Sequence, residues 1–140
     1  MAKFDAFGTQ LFRGTSGGGT AYAQVQSLTG PGLSADVIDV TNMASTNAWE
    51  EVVVGILRSG EMSMDIVYDP ENATHANAGS GLLADFLARA STTFTIVFPD
   101  TGATEWTFSA FVTGFEPSMP HDDALTAAVT FKLSGDITLV

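Results

Sequence analysis

The chain contains no cysteine, which excludes a disulfide framework and any thiolate metal centre and leaves the redox compartment undetermined. Basic residues are nearly as scarce: five Lys and Arg stand against sixteen Asp and Glu, a formal net charge of −11. Affinity for phosphate comes from clustered Lys and Arg, so tight nucleic-acid binding is not expected and the surface should repel DNA. Charged residues of both signs make up 15% of the chain and hydrophobic ones 45%, whereas a typical soluble domain is about 25% charged. That balance favours burial of surface by self-association. No apolar run approaches the roughly 18 residues needed to cross a bilayer, so no membrane insertion by the monomer is expected. Lys3 is followed by Phe4 and Asp5 rather than by the apolar stretch of about 7–15 residues of a secretory signal, which makes a cytoplasmic start the expectation. On that reading the sequon Asn72-Ala73-Thr74 is a chance match.

What is present is mostly β text. The 140 residues fit a single domain, 1–140, with one core, and neither an internal repeat nor a linker interrupts them. Gly8, Gly14 and Gly17-Gly18-Gly19 make 1–19 read as a flexible arm. Strand text resumes over 20–28, Gly30-Pro31-Gly32 is a turn, and 36–41 is a short strand with Val37 and Ile38 as its apolar body. Residues 42–59 read as a long loop with an apolar tip: Asn42, Ser45, Thr46 and Asn47 are loop formers, while Val52-Val53-Val54 and Ile56-Leu57 are not. Met62, Met64, Ile66 and Tyr68 alternate as a strand ended by Asp69-Pro70. Ser80 is a plausible N-cap for a helix whose stripe of Leu82, Leu83, Phe86, Leu87 and Ala90 should lie on a sheet. Phe94, Ile96 and Phe98 form a further strand, and Asp100-Thr101-Gly102 turns it back. Strands, one helix, then more strands describe an α+β, mainly β layout: an antiparallel sandwich or half-barrel flanked by one helix.

Two long patterns close the chain. Over 124–134, Leu125, Ala127, Val129, Phe131 and Leu133 alternate with Thr126, Ala128, Thr130, Lys132 and Ser134, a strand with one face in a core and an outer row whose one charge is Lys132. Over 104–115, Trp106, Phe108, Ala110 and Val112 share one face, and Phe111 and Phe115 fall on the other. A strand apolar on both sides asks for a second cover, so Phe111 and Phe115, with Thr126, Ala128 and Thr130 beside them, are the expected subunit interface. Asp65 and Glu105 sit on the solvent rows of their strands, with Gln24 and Gln26 beside them.

Chemistry finds little support. Asp69, Glu71 and His75 have a spacing that could hold a divalent cation, but their stretch lacks a helical face on which to converge, and His75 reads as a solvated loop histidine. His121, Asp122 and Asp123 are adjacent and cannot face one reaction centre, so they read as a polar turn. Neither glycine cluster is followed by Lys-Ser/Thr and a helix, as a phosphate cradle requires. Trp106 is a packing residue of its strand, and Trp49 in the long loop could serve as a platform for sugar. No catalytic constellation, cofactor or metal site is expected, and an enzyme is the weakest reading.

With these residues placed, the chain resembles the major tail tube proteins of lambda-like, long-tailed bacteriophages. The resemblance runs through Leu28-Thr29-Gly30-Pro31-Gly32, Asp36-Val37-Ile38-Asp39-Val40-Thr41, Trp49-Glu50-Glu51 and Gly55-Ile56-Leu57. It continues in Met64-Asp65-Ile66-Val67-Tyr68-Asp69-Pro70, Phe94-Thr95-Ile96-Val97-Phe98-Pro99-Asp100, Val112-Thr113-Gly114-Phe115-Glu116 and the final strand from Leu125 to Gly135. It implies a β-sandwich flanked by one helix, hexameric rings stacked into a hollow conduit for DNA ejection, and a place in the virion tail after assembly in the host cytoplasm. It also implies tape-measure, tail terminator and baseplate or initiator proteins as partners, and DNA that passes without specific binding. On this reading 42–59 is the inter-ring loop, with Asn42, Met43, Trp49, Val52, Val54, Ile56 and Leu57 as its contacts, and Gln24, Gln26, Asp65 and Glu105 are lumen candidates. Two other readings share the composition: another virion structural or decoration protein, and a carbohydrate-binding sandwich using Trp49.

Overall fold

The computed structural model describes residues 3–15, 17–77, 79 and 81–139. Among these described residues nine strands form two sheets, all paired antiparallel. The strands are β1 (Gln10–Arg13), β2 (Thr20–Ala21), β3 (Val25–Thr29), β4 (Ser34–Asp39), β5 (Val52–Arg58), β6 (Glu61–Val67), β7 (Thr92–Val97), β8 (Glu105–Ser118) and β9 (Thr126–Leu139); an α-helix, α1 (Leu82–Ala88), precedes β7, and a 3-10 turn (Thr46–Ala48) lies between β4 and β5. Seven strands make a curled half-barrel in the order β2-β1-β7-β8-β9-β6-β3, and β4 and β5 stand as a hairpin of their own.

Period-2 alternation builds the half-barrel's core. Met62, Met64 and Ile66 of β6, Phe108, Ala110 and Val112 of β8, and Ala127, Val129, Phe131 and Leu133 of β9 are all buried on one face, as their alternation predicts. Phe94 lies at the centre, its ring 5.1 Å edge-on from Phe131 and 6.2 Å from both Tyr22 and Phe108. Such pairs add about 0.5–1.5 kcal/mol beyond area burial.

The helix covers this face and packs on β8, but with a different side from the one its apolar stripe predicts. Leu82 and Asp85 are the buried residues, whereas Phe86 and Leu87 are exposed. The cause is Arg13 on β1, whose Nε and Nη2 donate to the two Asp85 carboxylate oxygens at 2.9 and 3.0 Å. A fork-to-fork pair with the carboxylate buried and the guanidinium half-buried outweighs the preference of leucine for the interior. The helix spans seven residues and stops before Ala90, the last residue of the expected stripe, because Arg89 adopts a left-handed conformation (φ 54°) and ends it. The N-cap position is Gly81; Ser80, the expected cap, lies outside the described residues.

Two further expectations are corrected. Residues 10–13 are not part of an arm: Leu11 is buried in the core and β1 pairs with β7 along its whole length. Residues 52–58 are not a loop tip: Val52-Val53-Val54 and Ile56 are β-branched and extend as β5 against β4. The hairpin leaves the half-barrel at Gly32 and Gly60, which pass so closely that a side chain at Gly60 (φ +71°) would strike the Gly32 carbonyl. Only glycine permits that crossing.

Candidate assembly surfaces

The β4–β5 hairpin is apolar on both faces. Its register sets Val37 against Val54 and Ile38 against Val53, and these residues with Val52, Ile56 and Leu57 are all exposed. Its own polar bonds are few: Arg58 forks onto Asp36 at 3.0–3.1 Å. The strands pack on each other, and neither makes an extensive contact with the half-barrel or the helix. Between them, 40–51 is a fixed turn and not a slack one. Asn42 Oδ1 accepts from the Ala44 N–H (2.8 Å), Ser45 Oγ accepts from the Asn42 N–H (3.0 Å) and donates to Glu51 (2.6 Å), and the Val40 N–H bonds the Glu51 carbonyl (2.9 Å). These bonds hold Trp49 74% and Met43 105% exposed at the far end. An isolated two-stranded hairpin is marginal in water, and one with both faces apolar needs a cover on each.

The outer face of the half-barrel rearranges the remaining candidates. Between Val112 and Gly114 the β8–β9 register shifts, so Thr113 is an extra residue and the row alternation inverts beyond it. Phe111 stays outside, opposite Lys132 and 36% exposed. Phe115, which strict alternation places on the same row, turns inward instead: it pairs with buried Val129, packs on the core and meets Tyr68 edge-on at 5.2 Å.

The same shift puts Glu116 on the outer row. Asp65, Ala128 and Glu116 are then register neighbours on three adjacent strands. With Gln26, Ser118 and Thr126 they line a shallow cleft of about 390 Å³, and Asp65 accepts the Ser27 hydroxyl at 3.0 Å. Glu105 is at the opposite end of β8, paired with Val97 and half-buried, and so is not grouped with Asp65. Gln24 lies just before β3 with φ 57°, its carbonyl accepting the Val67 N–H at 2.9 Å. Thr130 sits between Ser63 and Gly114 on the same face, half-buried.

A family profile described as lambda phage tail tube protein matches residues 15–140. The chain belongs to that family. It is a structural subunit of a tail tube, a virion tail component and not an enzyme. Its fold is that of three solved assemblies. One is a chain of the virion of a native gene transfer agent particle, at 14% identity and TM-score 0.79 over 99% of each chain. A second is from the tail of an empty gene transfer agent particle with C6 symmetry, at 17% identity and TM-score 0.70 over 94% of each. The third is from the sheath/tube terminator of an extracellular contractile injection system, PVC, at 14% identity and TM-score 0.73 over 100% of this chain and 98% of that one. No curated protein sequence matches the chain.

For a tail tube subunit the residues suited to chemistry have structural work. His75 is not a solvated loop residue but 0% exposed. Its Nδ1 accepts the Asp69 N–H (3.2 Å), which makes Nε2 the protonated nitrogen that donates to the Ala23 carbonyl (2.8 Å). One neutral ring thus ties the loop after β6 to the segment before β3. Among the described residues no cluster of three or more His, Asp or Glu is placed to hold a metal ion, and no helix is long and apolar enough to cross a membrane. His121, Asp122 and Asp123 form the exposed turn between β8 and β9. Trp106 packs edge-on against Phe98 at 5.2 Å.

Proposed function

We propose that this subunit forms rings of six copies that stack into a hollow tube, with the β4–β5 hairpin bridging one ring to the next. The free-standing hairpin, apolar on both faces and uncovered by its own chain, carries the reading. The C6 symmetry of the gene transfer agent tail with the same fold supports the ring size. Asn42, Met43, Trp49, Val52, Val54, Ile56 and Leu57 are then contacts between rings, and Phe111 with Thr130 faces a neighbour within the ring.

The acidic cleft belongs to the bore. Burying Asp65 and Glu116 in a dry interface without a cation beside them would cost several kcal/mol, so Ala128 and Thr126, which lie among them, face water with Gln26. A negative wall repeated six-fold keeps phosphates off without specific contacts, and DNA passes without binding. Glu105 and Gln24 fall outside that wall patch. Partners besides further copies are a tape-measure protein, a tail terminator and baseplate or initiator proteins, met during assembly in the host cytoplasm.

Electron microscopy of the concentrated protein tests the reading. Hollow tubes with six-fold rings are expected, forming more readily as salt screens the −11 charge of each copy. Dispersed monomers at millimolar concentration and high salt would sink it.

A further inference from the structure

A second apolar feature lies outside the hairpin and has no occupant among the described residues. It is a cleft of about 560 Å³ at the open end of the half-barrel, walled by Leu28, Ile96, Phe98 and Trp106 and edged by Asp5 and Asp100. We infer that this cleft receives the Trp49 tip of the β4–β5 hairpin from a second copy of this chain in the neighbouring ring. The inference rests on the reading of the hairpin as a ring bridge and names the surface it bridges to.

Area is the first support. Eleven large apolar side chains between residues 33 and 57 are exposed. At the roughly 60–120 Å² that burial of one such side chain removes from water, they offer on the order of 1,000 Å², against about 800 Å² per partner in a standard stable interface. An area of that size matches a whole protein surface and exceeds what a small ligand covers.

Chemical fit is the second support. Phe98 and Trp106 stand edge to face and Ile96 is fully buried beneath them, a floor suited to a flat aromatic ring. Trp49 is the exposed aromatic of the hairpin, and its indole N–H needs an acceptor once it is taken from water. The cleft's edge supplies two carboxylates. Asp100 is held in place by the Thr104 N–H and hydroxyl at 2.7 and 2.6 Å and keeps lone pairs free. A tryptophan seated in a dry pocket ringed by polar groups is the usual form of a binding hot spot.

Connectivity is the third. The cleft is lined by no residue of the hairpin, and the hairpin packs on no other element of its own chain extensively. Knob and hole are therefore different patches of one molecule. Joining them makes a heterologous contact, which propagates from copy to copy instead of closing as a dimer, and stacked rings require a contact of that type.

The absence of native cysteine makes the test clean. Trp49→Cys and Ala6→Cys, the latter at the cleft's edge, are combined, tubes are assembled, and a short bismaleimide is added. A ladder of covalent multimers is expected from tubes and none from monomer, and Ala6→Trp, which narrows the cleft from an exposed position, should raise the concentration needed for tubes at least ten-fold with the fold intact. Tubes in which the thiol of Trp49→Cys is shielded from reagent yet joins only a control Phe111→Cys would overturn the cleft assignment and leave the bridge standing. Equal reactivity at 49 in monomer and tube would overturn both. Should Trp49→Cys itself prevent assembly, Thr46→Cys on the same turn carries the same readouts.

Discussion

The half-barrel and the hairpin are built from the same residue types and end in opposite states. In β6 and β9, valine, isoleucine, methionine and phenylalanine alternate with polar residues, so each strand has an inside and an outside and the inner row is buried. In β4 and β5 the apolar residues run consecutively, both faces are alike, and every large side chain is exposed. The first arrangement is complete within one chain. The second is completed by another molecule, and the difference lies in periodicity and not in hydrophobic content.

Substitutions on the two sides separate folding from assembly most sharply. Phe131→Ala removes a fully buried ring at the centre of the core and should cost about 3–5 kcal/mol in urea unfolding. Val54→Ser with Ile56→Ser on the exposed hairpin should change the same measurement by no more than about 0.5 kcal/mol for each residue while abolishing tubes in sedimentation. A hairpin variant that unfolds the monomer would erase the distinction.

Phe111 and Phe115 test the boundary within a single strand. Phe115→Ser should destabilise the monomer by about 2 kcal/mol, since the ring packs on Tyr68 and the core, whereas Phe111→Ser should leave unfolding nearly unchanged and weaken ring formation. Equal effects of the two on monomer stability would mean that the shift at Thr113 does not turn the chain over.

That shift also marks where sequence reading stops. The inner rows of β6, β8 and β9 are legible because alternation is a local signal, and the core residues they predict are the buried ones. Phe115 is misplaced because one extra residue inverts the alternation without altering composition; Gly114, a glycine inside a strand, was the available sign of it. The inward side of α1 and the burial of His75 were not legible at all. Asp85 is drawn in by Arg13, 72 positions earlier, and His75 by the Ala23 carbonyl, 52 positions earlier, and no window of local text contains both partners. The hairpin was legible as apolar but not as a strand pair, because consecutive apolar residues carry no period. The acidic cleft was half legible: Asp65 was in view, while Glu116 joined it only through the same shift that moved Phe115.

The smallest effect concerns a polar flaw in the core. Tyr22 is buried beside Phe94, and among the described residues its hydroxyl is the buried side-chain oxygen that lacks a hydrogen-bond partner within the chain. An unpaired buried hydroxyl costs about 1–3 kcal/mol in desolvation, so Tyr22→Phe should stabilise the monomer, by about 1 kcal/mol once partial solvation is allowed for. The pH dependence sets this apart from a packing change. Burial, reinforced by nearby Asp85, pushes the Tyr22 phenol well above its ordinary value. Below the unfolded-state value of about 10 the phenol is neutral in both states and its titration has no effect on stability. As pH rises further, the unfolded chain ionises this group while the folded one does not, and native stability falls until the folded value is reached. The wild type should therefore lose stability above about pH 10, by a share that Tyr22→Phe removes, in urea titrations run from pH 8 upward. Parallel curves for the two proteins across that range would show that Tyr22 is hydrated, and that water reaches the half-barrel's core as well as the exposed hairpin.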